Sequence, residues 1–265
     1  MFMRVKLSVI MSVYKNDSLE NLILSVESIL MQTLNNFHFY IQTDGIIPKQ
    51  LDSYLDSLAD DRVIILKRDK NIGLAASLND LLEHILPLDY KYIARMDADD
   101  ISDINRFKEQ VAFLELNKLV DLVGTNANLI NEKSNIIGVK KVKQKVSFTD
   151  MIKKCELIHP SIMFRNTFFE KFGLYDVSLK KSQDFDLWLR ALLKGANIEN
   201  LQKNLINFRY EEEIINRRKN EQKQNMLIKK KYLSGYKYYL SIVPNFIIMI
   251  LPNFILKIII QLKIK

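Results

Sequence analysis

The chain has 265 residues, room for one large domain or one domain with an appendage, and its 48% hydrophobic content argues for a sizeable core and against disorder. Cys155 is the only cysteine, which excludes an intrachain disulfide and fits a reducing compartment, although a cysteine-poor exported protein would look the same. The formal net charge of +8 sits at one end: residues 203–265 carry 13 basic and 4 acidic side chains, whereas residues 1–202 carry 26 and 27.

Val5–Val13 is apolar, but Tyr14-Lys15-Asn16-Asp17 follows with no small-residue cleavage site, so this run predicts a first strand and not a signal peptide. Leu19, Leu22, Ile23, Val26, Ile29 and Leu30 recur at helical spacing, predicting a helix over Ser18–Gln32 capped by Asp17 or Ser18. Phe37–Thr43 predicts strand two, Lys49–Ala59 a helix, Val63–Lys67 strand three and Leu74–Leu86 a helix stopped by Pro87. Lys91–Met96 predicts strand four and Ile104–Asn117 the next helix. This alternation implies a Rossmann-like α/β layer, a mostly parallel sheet with helices on both faces. Beyond Asn117 the pattern loosens. Strands are expected at Leu119–Gly124, Asn128–Ile130, Ile136–Lys143 and Ser161–Phe164, and helices at Phe148–Lys154, Thr167–Phe172, Asp184–Leu193 and Glu211–Leu233.

The end differs in kind. No residue between Lys237 and Lys257 is charged, and basic clusters (Lys229-Lys230-Lys231; Lys263, Lys265) flank the run. Pro244 and Pro252 would each disturb a simple spanning helix. The pattern suits a segment lying in the interface of an anionic membrane. Core packing and a partner interface are the other readings. Nucleic acid fits poorly, because greasy residues beside the basic patch do not make a phosphate-tracking groove.

Chemistry concentrates in Ala94-Arg95-Met96-Asp97-Ala98-Asp99-Asp100, where an apolar strand stops and three carboxylates arrive within four positions. Crowded like charges are costly unless a cation sits among them, and carboxylate oxygens suit Mg²⁺ or Mn²⁺ shared with substrate phosphates. An acidic loop or helix cap is the plainer alternative, and Asp100 in particular reads as the cap of the helix carrying Arg106 and Gln110. Four further features fall at strand and helix ends. Tyr14 ends strand one and could stack on a base or sugar. Asp44-Gly45 ends strand two, as a ribose or base contact or as a simple turn. Gly73 opens a helix whose N-terminus favours a nearby anion. Asp184 starts a helix, as a general base or as an N-cap beside a core Trp188.

Together, in this order, Tyr14, Asp44-Gly45, Asn71-x-Gly73-Leu74, Asp97-Ala98-Asp99-Asp100 with Arg106-Phe107 and Gln110, His159-Pro160-Ser161 with Arg165, and Gln183-Asp184-Phe185-Asp186-Leu187-Trp188-Leu189-Arg190 resemble an inverting family 2 glycosyltransferase of the GT-A fold. The chain is similar in particular to bacterial enzymes that build capsule, exopolysaccharide or lipopolysaccharide, over about residues 5–210. The resemblance implies a nucleotide-sugar donor, most often a UDP-sugar, bound by Ser12, Tyr14, Asp44, Gly73, Asp97 and Ala98. It implies Mn²⁺ or Mg²⁺ on Asp97 and Asp99, with His159 as a further metal or phosphate contact unless it merely packs beside Pro160. It implies Asp184 as the base that deprotonates the acceptor hydroxyl. Two departures stand out: Thr43-Asp44-Gly45-Ile46 keeps one acid of the usual Asp-Asp-Gly-Ser, and Gln183 replaces the usual Glu before Asp184.

The expected organisation is a transferase domain over 1–210 and a membrane-associating tail over 211–265. The expected setting is the cytoplasmic face of the bacterial plasma membrane, with a glycan or lipid-linked saccharide as acceptor. Two alternatives remain: a sugar nucleotidyltransferase, which would want a basic Gly-rich loop after strand one, and a membrane-attached assembly protein that kept the fold without turnover.

Overall fold

The computed structural model describes residues 7–210, 214–253, 255 and 256. Val5 and Lys6 at the expected start of strand one, Glu211 at the expected start of the long helix, and Lys257, Lys263 and Lys265 lie outside the described residues.

The first half follows the apolar pattern closely. β1 (Leu7–Val13), β2 (Phe37–Thr43), β3 (Val63–Leu66) and β4 (Tyr92–Met96) alternate with α1 (Leu19–Leu30), α2 (Lys49–Asp56) and α3 (Leu74–Ile85). Ser18 is the cap of α1, its side chain accepting the Asn21 N–H. After β4 come β5 (Ile101–Ser102), α4 (Arg106–Leu116), β6 (Leu122–Ile130), β7 (Ile136–Lys140), β8 (Lys145–Val146) and α5 (Phe148–Lys153). A 3₁₀ turn at His159–Ser161 leads into β9 (Met163–Arg165), α6 (Thr167–Phe172), α7 (Gln183–Leu193) and β10 (Ile198–Arg209). Two helices close the described chain, α8 (Ile214–Tyr232) and α9 (Gly235–Ile250).

The sheet order is β3-β2-β1-β4-β9-β6-β10-β5, with β7 beside β6 and β8 beside β10. β9 runs antiparallel to both β4 and β6, while β6 and β10 pair in parallel. β1–β4, β6 and β10 therefore share one direction, and the sheet is mostly parallel. Side chains alternate between two buried layers, as a strand's period of two requires. Val9, Met11 and Ala94 pack with α1, α2 and α4 on one face. Ile10, Ile93 and Phe164 pack with α3, α5, α6 and α7 on the other, around the fully buried Trp188.

Three expectations need correction. The two short strands expected between Leu119 and Ile130 are one strand, β6. Its polar middle, Thr125-Asn126, is buried and satisfied: Thr125 Oγ1 donates to the Asn126 carbonyl, and Asn126 Oδ1 accepts the Val142 N–H at 2.9 Å. β10, the longest strand at 12 residues, has no counterpart among the expected elements. α9 runs through Pro244 and ends at Ile250, so the first proline does not break it and the second, Pro252, follows its end.

Candidate active site

The chain steps outward from β1 to β3 and then returns to place β4 on the other flank of β1. Strand order thus reverses between β1 and β4, and in open α/β sheets ligands bind at such a switch, beyond the carboxyl ends of the strands. The parallel register Met11↔Met96 brings the residues that follow both strands to this edge. Ser12 and Tyr14 arrive from β1, both half-buried. Asp97, Ala98, Asp99 and Asp100 arrive from β4.

Ligand oxygens of Asp97, Asp99 and Asp100 lie within 4.8 Å of one another, the one group among the described residues able to hold a metal ion. Asp100 does not cap α4: Asn105 occupies that position, without a side-chain bond, and β5 intervenes. Asp100 instead accepts the backbone N–H of Arg209 at 2.7 Å, and its Oδ2 is buried with no hydrogen-bond partner. Burial pushes the Asp100 carboxyl well up, with Asp99 and Asp97 adding to the push. An unpartnered carboxylate oxygen beside two other acids is the arrangement a hard cation would satisfy.

The loop bearing these acids is fastened from three sides. Arg209, at the end of β10, donates Nε to the Asp99 carbonyl and Nη1 to the carbonyls of Asn131 and Glu132. Ser25 of α1 donates to the Asp97 carbonyl at 2.7 Å. Arg95, buried in β4, pairs with the Asp97 carboxylate, while its Nε and Nη1 have no hydrogen-bond partner. Asp17 contributes a fourth nearby acid. It accepts the Tyr14 N–H at 2.7 Å, and burial pushes its carboxyl up to about 7, against that hydrogen bond and with help from Asp99 and Asp97.

Asp44 and Gly73 turn out to be one feature. The buried Asp44 carboxylate accepts the N–H groups of Ile72 and Gly73, each at 3.0 Å, and pairs with Arg68. The anion at the N-terminus of α3 is therefore the chain's own carboxylate. Gly73 has φ +100°, and a Cβ on Gly45 would lie 2.7 Å from the Asn71 nitrogen, so both turns require glycine.

Asp184 is the second residue of α7, and the N-cap is Ser182, in a left-handed conformation (φ +57°) without a side-chain cap bond. The N-cap alternative for Asp184 is thereby removed. Burial raises the Asp184 carboxyl above its usual range, opposed by the Phe185 N–H and by the charge of Arg95, while Glu221 of α8 adds to the rise. His159 is not brought into the carboxylate group. Its Nε2 meets the Tyr175 hydroxyl at 2.8 Å and its ring packs against Trp188. Burial, helped by Arg95, pushes His159 well below its usual range.

Arg106, Gln110 and Arg165 serve the scaffold. Arg106 donates to the carbonyls of Arg95 and Ile162, Gln110 to those of Val123 and Ser161, and Arg165 to those of Val120, Leu114 and Asn117. The site residues that sequence reasoning misses are Asp17, Arg68, Arg95 and Arg209. Arg95 does carry a signal, a charge inside an otherwise apolar strand.

The sequence profile of Glycosyl transferase family 2 matches residues 8–173. The O-antigen biosynthesis glycosyltransferase WbnJ of Escherichia coli is 35% identical over 220 residues, 77% of this chain and 79% of that protein. An Escherichia coli enzyme named UDP-Gal:alpha-D-GlcNAc-diphosphoundecaprenol beta-1,3-galactosyltransferase is 29% identical, over 80% of this chain and 77% of that one. Among solved structures, S. aureus TarS 1-349 in complex with UDP-GlcNAc superposes with a TM-score of 0.66 at 14% identity, covering 92% of this chain and 72% of that one. The chain spans 43% of the longer TarS chain.

Proposed function

This chain belongs to glycosyl transferase family 2, and from that premise we propose that it moves a hexose from a UDP-sugar, with inversion, to a hydroxyl of a growing lipid-linked cell-surface glycan. The observation that carries the reading is the Asp97–Asp99–Asp100 group with its one unpartnered buried oxygen, at the switch point between β1 and β4. These carboxylates would hold Mn²⁺ or Mg²⁺, which supplies the positive charge that a leaving nucleoside diphosphate needs. Ser12 and Tyr14 border the same edge and suit the base and ribose, with Asp44 and Gly73 shaping the adjoining wall. Arg95 keeps Asp97 oriented and places a positive charge near Asp184.

Asp184 would take the proton from the attacking acceptor hydroxyl. A carboxylate raised toward neutrality by burial is a better base than a solvated one. A UDP-sugar donor is supported by the name of the Escherichia coli galactosyltransferase and by the UDP-GlcNAc complex of TarS. The diphosphoundecaprenol in that relative's name supports a lipid-linked acceptor, and with it a position at the cytoplasmic face of a bacterial plasma membrane. Residues 1–210 would then be the transferase unit and residues 211–265 its membrane-associating tail.

The test is Asp184→Asn. The variant should fold and bind UDP with Mn²⁺ as the wild type does, yet lose roughly 10²–10⁴-fold in transfer. Near-normal turnover would remove Asp184 as the base.

A further inference from the structure

We infer that the outward face of α9 is a docking surface for an anionic bilayer and lies flat in its headgroup region. The inference rests on the proposed membrane setting and names the face that serves it. α9 presents a continuous apolar stripe to the outside. Tyr236, Tyr239, Leu240, Val243, Phe246 and Ile247 are between 46% and 71% exposed. At 3.6 residues per turn they fall within an arc of roughly 120°. The opposite side, facing α8, sets the polar Ser241 and Asn245 among the half-buried Tyr238, Ile242, Ile248 and Met249. Asn245 is buried there, with Lys229 Nζ 2.7 Å from its Oδ1 and 2.8 Å from the Ser241 carbonyl. Asn245 also donates to Gln222 at 2.8 Å. A helix in water normally buries its apolar stripe, and α9 is apolar on both sides yet leaves one whole stripe exposed.

Length and charge select the occupant. Sixteen residues make a helix about 24 Å long, short of the roughly 30 Å hydrocarbon core. No helix among the described residues is long and apolar enough to cross a membrane. Residues 214–256 hold eight Lys and Arg against the single acid Glu221, and Lys223, Lys230 and Lys237 are exposed. An apolar stripe flanked by cations matches an anionic leaflet, with the tyrosines at headgroup level.

The hairpin is also fastened to the helix of the candidate base. Tyr232 at the end of α8 donates to Asp186 Oδ1 at 2.9 Å, and Lys231 lies 3.4 Å from the same oxygen. Asp186 is buried two residues beyond Asp184 on α7. Docking of α9 would therefore fix the height of Asp184 above the bilayer, as a lipid-carried acceptor requires.

The experiment is co-sedimentation of the full chain with phosphatidylcholine vesicles, with or without roughly one third phosphatidylglycerol. The variant is Leu240→Ser/Phe246→Ser/Ile247→Ser, and a second is Lys223→Glu/Lys230→Glu/Lys237→Glu. Wild type should pellet with the anionic vesicles, and the serine variant should bind at least about tenfold more weakly. The glutamate variant should lose the preference for phosphatidylglycerol. Unchanged melting temperatures and UDP affinities would show that both variants fold. Wild type remaining in the supernatant, or a serine variant that pellets equally, would overturn the inference. So would a wild-type dimer that the serine variant splits without any change in lipid binding, since that assigns the face to a second copy. Vesicle binding without UDP binding would support the surface while contradicting the donor reading.

Discussion

The backbone N–H of Arg209 donates to Oδ1 of Asp100 at 2.7 Å, joining the end of β10 to the acid cluster that follows β4. The two residues are 109 positions apart in the chain. The bond leaves the second oxygen of Asp100 buried and free of hydrogen-bond partners, in the group it forms with Asp97 and Asp99. The guanidinium of the same Arg209 holds the Asp99 carbonyl and the turn after β6. Arg209 is thus one of three anchors, with Ser25 and Arg95, of the loop on which the donor reading depends.

Arg209→Ala should accordingly act on stability and on metal binding together. It removes the hydrogen bonds to the carbonyls of the half-buried Asp99 and Asn131 and the exposed Glu132, at a cost of about 1–3 kcal/mol. Denaturant unfolding reads that cost, and calorimetry with Mn²⁺ should show weakened binding. A variant that loses stability but binds Mn²⁺ normally would separate the loop anchor from the site.

Arg95→Met tests the charge at the centre of the site. The charge of Arg95 opposes the rise that burial imposes on Asp184. Removing it should push that carboxyl further up. If Asp184 is the base, the rising limb of turnover against pH follows its ionisation and should then move to higher pH. Arg95→Lys, which keeps the charge, should restore much of the wild-type profile. An unmoved profile in Arg95→Met would mean that the two groups are not coupled in turnover.

Gly45→Ala tests the turn that seats Asp44. The added Cβ would meet the Asn71 backbone nitrogen at 2.7 Å, at a residue with φ +87°. Backbone strain of this kind costs on the order of 1–3 kcal/mol. The Asn71–Gly73 segment should shift away from Asp44, and UDP affinity should fall with stability. Normal affinity in a destabilised variant would detach this wall from donor binding.

Much of the fold is legible in the sequence because β1 to β4 and α1 to α3 are marked by apolar runs of the right period. The placement of Asp97, Asp99 and Asp184 is legible for the same reason, since each follows or opens such an element. β10 is not. Its middle, Gln202-Lys203-Asn204, is exposed and its pairing with β6 shifts register on either side of Asn204. Beside its backbone pairing with β6 the strand carries an asparagine ladder, Asn204 to Asn128 and Asn128 to Asn207, both at 2.9 Å. Asparagine is depleted in strands, so hydrophobic periodicity carries no trace of this pairing. Arg209 is hidden with it. The helix-cap reading of Asp100 fails because local spacing cannot reveal a partner 109 residues away. The same limit hides the union of Asp44 with Gly73, two features that the sequence presents separately.

If the Asp97–Asp99–Asp100 group is the metal–diphosphate station of a sugar transferase, turnover of the donor depends on a divalent metal. The most direct measurement is release of UDP from a panel of UDP-sugars by the purified chain, with Mn²⁺ present and again in excess chelator. Release from at least one donor in Mn²⁺, falling by about 100-fold or more in chelator, is the expected result. Undiminished release in chelator would contradict it.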